Sequence, residues 1–132
     1  MKPSVKEWID LAGIDLLAAK RLCKDERLTN VVCFHSQQCV EKSLKALIES
    51  NDEIPPKTHD LIRLYGMVEK KIVLNEDMLA KLNEIYIESR YPSTIGLLPN
   101  GAPTLEEAIE FYNYATELHK KIIVQLQKRG SI

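Results

Sequence analysis

The stretch FHSQQCVEKSLKAL, residues 34–47, decides the architecture, because its apolar side chains follow a helical period on more than one face. Phe34, Cys39, Val40, Leu44 and Leu47, continued by Val32 and Ile48, predict a helix from about Leu28 to Ser50. Ser36, Ser43 and Ala46 are small enough to let neighbouring helices come close, the pattern of a central helix contacted on several sides. The polar residues are also ordered. Gln37, Glu41 and Lys45 stand at i, i+4 spacing, with Gln38 and Lys42 on the next row, so five polar groups share one broad face. Two readings stay open. The face is solvated, with a Glu41–Lys45 ion pair worth only about 0.3 kcal/mol, or it lines a cleft.

Upstream, Val5, Trp8, Ala12, Leu16, Ala19 and Leu22 form the stripe of an amphipathic helix from about Pro3 to Lys24, with Pro3 suited to its first turn. KDERLTN, residues 24–30, is a polar break before the central helix. Downstream, NDEIPPKTHD, residues 51–60, stops that helix, since consecutive prolines cannot continue it. Thr58 is the expected N-cap of a short helix from His59 to Lys71. Asn75 caps a fourth helix, carrying Leu79, Leu82, Ile85 and Tyr86, that ends near Arg90 before Tyr91-Pro92. PSTIGLLPNGAP, residues 92–103, reads as a loop or flap. Thr104 and Glu107 fit a capping box for a fifth helix that runs to about Lys128 on Ala108, Phe111, Ala115, Leu118, Ile122 and Leu126. No stretch keeps a period of two for long. The expected fold is all-α: a single domain over residues 1–132, an antiparallel up-and-down helical bundle of four long helices plus one short helix.

A chain of 132 residues buries roughly two thirds of its unfolded surface, enough to fold without disulfides or metals. Its 18 basic residues offset 19 acidic ones, so no polybasic coat draws it to nucleic acid, and any such contact must come from a local patch. Charges interrupt the amino-terminal segment as they would not in a signal peptide, and no apolar run is long enough for a bilayer. Cys23, Cys33 and Cys39 form no CxxC pair and read as reduced interior thiols. These features predict a cytoplasmic protein without membrane contact.

His35 and Cys39, four apart, have the spacing of two zinc ligands on one helix face, but no further ligand motif accompanies them, and a packed interior pair is expected. His119, late in the fifth helix, is expected to be a mildly favourable cation near a helix C-terminus. In PPKTHDL, residues 55–61, Lys57, His59 and Asp60 lie where the third helix begins, and either an anion binds its free amides or Asp60 supplies the negative charge itself. In YIESRYP, residues 86–92, Arg90 offers a fork for phosphate and Tyr91 a stacking ring, unless Arg90 serves only to pair a carboxylate. No P-loop, GxGxxG, HExxH or GxSxG motif is present, and no catalytic, metal or cofactor site is assigned.

The segments QQCVEKSLKAL (37–47), KTHDLIRLY (57–65) and ESRYP (88–92), in this order on a five-helix pattern, resemble the HEPN domain family. The resemblance implies a helical up-and-down bundle, usually a homodimer, often encoded beside a minimal nucleotidyltransferase as a toxin–antitoxin pair, and a nucleotide-binding role. Many members are metal-independent ribonucleases with an Arg followed after roughly four to six residues by a His that acts in proton transfer. No Arg here precedes a His at that spacing; Arg27 and His35 come nearest, with seven residues between them. The matching polar positions carry over as a ligand-binding set: Gln37, Gln38, Glu41, Lys42 and Lys45, then Lys57, His59 and Asp60, then Arg90 and Tyr91. In that set the lysines and Arg90 meet phosphate, Tyr91 stacks on a base and Glu41 orients a lysine. The expected function is therefore a nucleotide- or phosphate-binding module rather than an enzyme. The alternative is a ribonuclease toxin with a non-standard site built on His59 and Arg90.

Overall fold

Pro3 has no amide hydrogen to leave unsatisfied, and it opens the first helix, α1 (Pro3–Leu22), in the computed structural model. The structure describes residues 2–90 and 102–128, with the side chains of 87–90 excepted. One face of α1 buries Val5, Ile9, Ala12 and Ala19, and on the same side it buries a carboxylate, Asp15. The polar break after it is more ordered than its composition suggests. Asp25 accepts hydrogen bonds from the Arg27 amide at 2.9 Å and from its guanidinium at 2.8 and 3.1 Å, and this partner holds the Asp25 carboxyl down at about 2. A single 3-10 turn, Glu26–Leu28, results, and it runs directly into α2 (Thr29–Ser50).

Of the 22 residues of α2, 14 are buried, which makes it the central element. It packs against α1, against the short α3 (Leu61–Gly66), against α4 (Glu76–Arg90) and against α5 (Leu105–Lys128). The arrangement is the all-α, antiparallel up-and-down bundle expected from the periodicity, with Leu44, Leu47, Leu61, Leu79, Leu118 and Ile122 in its core. At the C-terminus of α2, Asp52 takes the left-handed conformation (φ 63°) that turns the chain out of the helix.

The third helix differs from expectation. It is six residues long, and its N-cap is Asp60, not Thr58. The Asp60 carboxylate accepts from the amides of Ile62 and Arg63 at 3.0 and 3.3 Å, while Thr58 Oγ1 takes the amide of Asp60 itself at 3.1 Å. A carboxylate closer to the helix outcompetes the hydroxyl for the free donors. Beyond Gly66 the chain turns back, and Tyr65 ties the return: its hydroxyl donates to the carbonyl of Ile72 at 3.1 Å and accepts from the amide of Leu74 at 3.0 Å. The other caps fall where the sequence places them. Asn75 Oδ1 accepts from the amide of Met78 at 3.2 Å, and Thr104 and Glu107 exchange hydrogen bonds of 2.9 and 3.1 Å. Cys33 and Cys39 are free, buried thiols, both pushed up to about 12 by desolvation, and Cys23 is half-buried and free.

Candidate functional site

The polar face of α2 is not solvated. Gln37 is 0% exposed, Glu41 4% and Lys45 7%, so the five-residue polar strip of the sequence is mostly interior. The helix is covered on this side by α1 and by the segment that leads into α3, and side chains at i, i+4 spacing are enclosed together.

Glu41 is the hub of the first cluster. Its Oε2 accepts from Lys45 Nζ at 3.0 Å, and its Oε1 accepts from Gln37 Nε2 at 3.2 Å and lies 2.8 Å from His59 Nδ1. A carboxylate only accepts, so Nδ1 carries the proton and Nε2 is the ring's other edge. Gln37 Nε2 also donates to the His59 carbonyl at 3.2 Å, and Gln37 Oε1 accepts from Gln38 Nε2 at 2.7 Å. The His59 side chain is held at its inner edge yet remains 53% exposed. Its ring lies 4.9 Å from that of Tyr86, which in turn stacks on Phe34 at 5.9 Å. On the far side, Lys45 Nζ sits 5.5 Å from the centre of the Trp8 ring, whose indole nitrogen donates to Glu49 Oε1 at 3.3 Å.

A second cluster repeats the chemistry on the neighbouring row. Buried Asp15, from α1, is 2.8 Å from His35 Nδ1 through Oδ1 and accepts from Lys42 Nζ at 2.7 Å through Oδ2. Each buried carboxylate thus joins one imidazole and one ammonium, and each also ties α2 to another part of the chain. Replacing such groups with apolar ones of similar volume is often neutral or stabilising, because desolvating the charges offsets their attraction. Their chemical value lies in fixing where the imidazoles point.

The expected ligand set therefore divides. Gln37, Gln38, Glu41, Lys45 and His59 come together. Lys42 turns instead to Asp15, and Asp60 is engaged in its cap and accepts from Asn83 Nδ2 at 2.9 Å. Lys57 is exposed, with no ion pair among the described residues. Arg90 closes α4 one turn beyond Tyr86, but its side chain and all of Tyr91 lie outside the described residues, as do residues 92–101 of the loop expected at 92–103. His35 and Cys39 separate, the first to Asp15 and the second toward Ser43 and the Ala115 carbonyl. No group of three metal-ligating side chains forms among the described residues. His119 is not a surface cation: its Nε2 donates to the Ile9 carbonyl at 3.3 Å, and burial lowers its pKa.

Sequence reasoning missed Asp15, Tyr86 and Trp8 as members of these clusters. The signal for Asp15 was present, since it sits between Ala12 and Ala19 at helical spacing, a charge placed beside the buried phase of the helix.

The class the fold defines is an all-α helical bundle built around one central helix. The model of the HEPN domain matches residues 5–126, and the chain belongs to that family. Its fold is similar to the crystal structure of TT1696 from Thermus thermophilus, with a TM-score of 0.78 and 23% identity over 95% of this chain and 100% of that one. It is also similar to ST0689, described as an archaeal HEPN homologue, with a TM-score of 0.66 and 28% identity over 96% of this chain and 99% of the other. No curated protein matches. Among the described residues, no helix is long and apolar enough to cross a membrane.

Proposed function

We propose that the chain is a binding module for a nucleotide or another phosphate-bearing ligand, seated on the exposed side of His59, and that it works beside a minimal nucleotidyltransferase. One observation carries the ligand half: buried Glu41 holds the inner edge of a half-exposed imidazole that lies against an aromatic ring. Such an imidazole offers a hydrogen-bonding edge and a half-exposed face of its own, backed by the buried Tyr86 ring, which suits a nucleobase or its phosphate. Lys42 and Lys45 each pair with a buried carboxylate and act as framework, so the ligand's negative charge falls to Lys57, Arg90 and His59. The nucleotidyltransferase half, like a homodimeric state and a place in a toxin–antitoxin pair, rests on the family resemblance.

Titration calorimetry with ATP, GTP and a short RNA tests the site. Binding that weakens at least about tenfold in His59→Ala supports it. No heat from any of the three at roughly millimolar ligand, with the helical spectrum intact, overturns it. Sedimentation of the chain mixed with a nucleotidyltransferase encoded beside it tests the partner, and the lack of such a gene removes that half.

The same carboxylate-held imidazole favours a second reading, a ribonuclease in which His59 Nε2 takes the proton of a ribose hydroxyl. Incubation with total RNA distinguishes it: cleavage that His59→Ala leaves unchanged excludes this residue.

A further inference from the structure

Two imidazoles of this chain are built alike and differ in exposure. Asp15 holds His35 by Nδ1 and Glu41 holds His59 by Nδ1, each at 2.8 Å, and each carboxylate also takes a lysine ammonium. The His35 side chain is 27% exposed and the His59 side chain 53%. Of the two, His59 combines a fixed tautomer with an open ring. Its Nδ1 carries the proton that Glu41 accepts, so the lone pair of the neutral ring is on Nε2, and among the described residues nothing bonds that atom. The ring is also held in place. Gln37 Nε2 donates to the His59 carbonyl at 3.2 Å, and the Tyr86 ring backs the imidazole at 4.9 Å between centroids.

We infer that His59 Nε2 is a phosphoryl acceptor, a site of covalent modification by a phosphoramidate, the class of donor that includes a phosphorylated histidine. A neutral imidazole whose other nitrogen donates to a carboxylate is a nucleophile as it stands, with no proton to lose. The Nε2 lone pair forms the new N–P bond as the donor's own P–N bond breaks, and the electron pair of that bond leaves with the donor's nitrogen. The donor enters with its nitrogen base protonated and releases that base neutral, so the protein supplies no proton. The His59 ring becomes cationic, and its Nδ1 proton stays in the hydrogen bond to Glu41, whose charge now faces a full positive one. Lys45, on Glu41 Oε2, balances the carboxylate while the ring is neutral. Lys57, exposed two residues before His59 and without an ion pair among the described residues, puts a cation on the same segment for the phosphoryl oxygens. No nucleotide takes part, so the label can form whether or not calorimetry finds a ligand.

Incubation of the purified chain with potassium phosphoramidate, with N-acetylhistidine present as a competing free imidazole, tests the assignment. The intact mass should rise by a single phosphoryl group, fragmentation should place it on His59, and phosphorus NMR should place it on Nε2. The adduct should be lost in acid and survive alkali, as an N–P bond does and a phosphate ester does not. His59 should react at least about tenfold faster than N-acetylhistidine. His35→Gln should keep the label and His59→Gln should lose it. Glu41→Gln, if folded by circular dichroism, should bring the His59 rate to within about twofold of the free imidazole. If that variant does not fold, the comparison of His59 with His35, His119 and the free imidazole in the wild-type reaction decides. Labelling of His59 no faster than the free imidazole, labelling of His35 or His119 ahead of it, a phosphoryl group on Nδ1, or a rate indifferent to Glu41→Gln each overturns the assignment.

Discussion

Removing the Glu41 carboxylate strands the Lys45 ammonium, which is 7% exposed and finds its ion-pair partner in Glu41. Glu41→Ala is therefore expected to lower the unfolding free energy by about 3 kcal/mol in urea titrations. Glu41→Leu combined with Lys45→Met, which removes both charges and keeps the volume, should recover most of that loss, while leaving His59 without its anchor. If the double variant is as unstable as the single one, the penalty is not an unpaired buried charge. His119 makes a different, pH-dependent contribution. Burial lowers its folded-state pKa below the ordinary 6.5, so the unfolded chain holds the proton more tightly. The stability gained by keeping this ring neutral is complete above the unfolded value and is lost as pH falls through the folded one. Between about pH 7.5 and pH 5 the wild type should lose stability more steeply than His119→Leu, with the other histidines common to both. Equal slopes in urea titrations across that range would remove His119 from the account.

The helices were legible wherever a cap and a stripe agreed. Thr104 with Glu107 placed the start of α5, and Asn75 the start of α4, because those side chains bond the free amides of the first turn themselves. Thr58 misled because Asp60 stands closer to the helix and is the stronger acceptor, a contest that a list of preferred caps does not decide. The candidate site was half legible for a similar reason. Glu41 and Lys45 are neighbours by helical spacing, whereas the contact of Asp15 with His35 and Lys42 depends on how α1 crosses α2, which local pattern does not reveal. These local forces give measurable consequences. Thr104→Ala should lower stability by about 1 kcal/mol by unmaking the capping box. Gly13→Ala should raise it by about 0.5–1 kcal/mol, since a Cβ there meets nothing within 4 Å and alanine is the better helix former. Thermal unfolding at low chain concentration reads both, and a destabilised Gly13→Ala would show that the flank of α1 needs its glycine.

Taken together, the contacts make α2 the support for every other helix, and each buried carboxylate fastens one neighbour to it. An architecture in which four helices share one central partner has no obvious seam at which a part can separate, so unfolding should be two-state. The chain carries its own probe of this. Trp8 is the sole tryptophan and sits on the α1–α2 boundary against Lys45 and Glu49, while circular dichroism reports all the helices. The urea midpoints from tryptophan fluorescence and from circular dichroism should coincide. Asp15→Ala, which strips His35 and Lys42 of their common partner, should move both midpoints down together, with a loss of about 2 kcal/mol. A fluorescence transition that precedes the loss of helix in this variant would mean that α1 peels away on its own. The Asp15 cluster would then be a clasp on one helix rather than part of a single cooperative core.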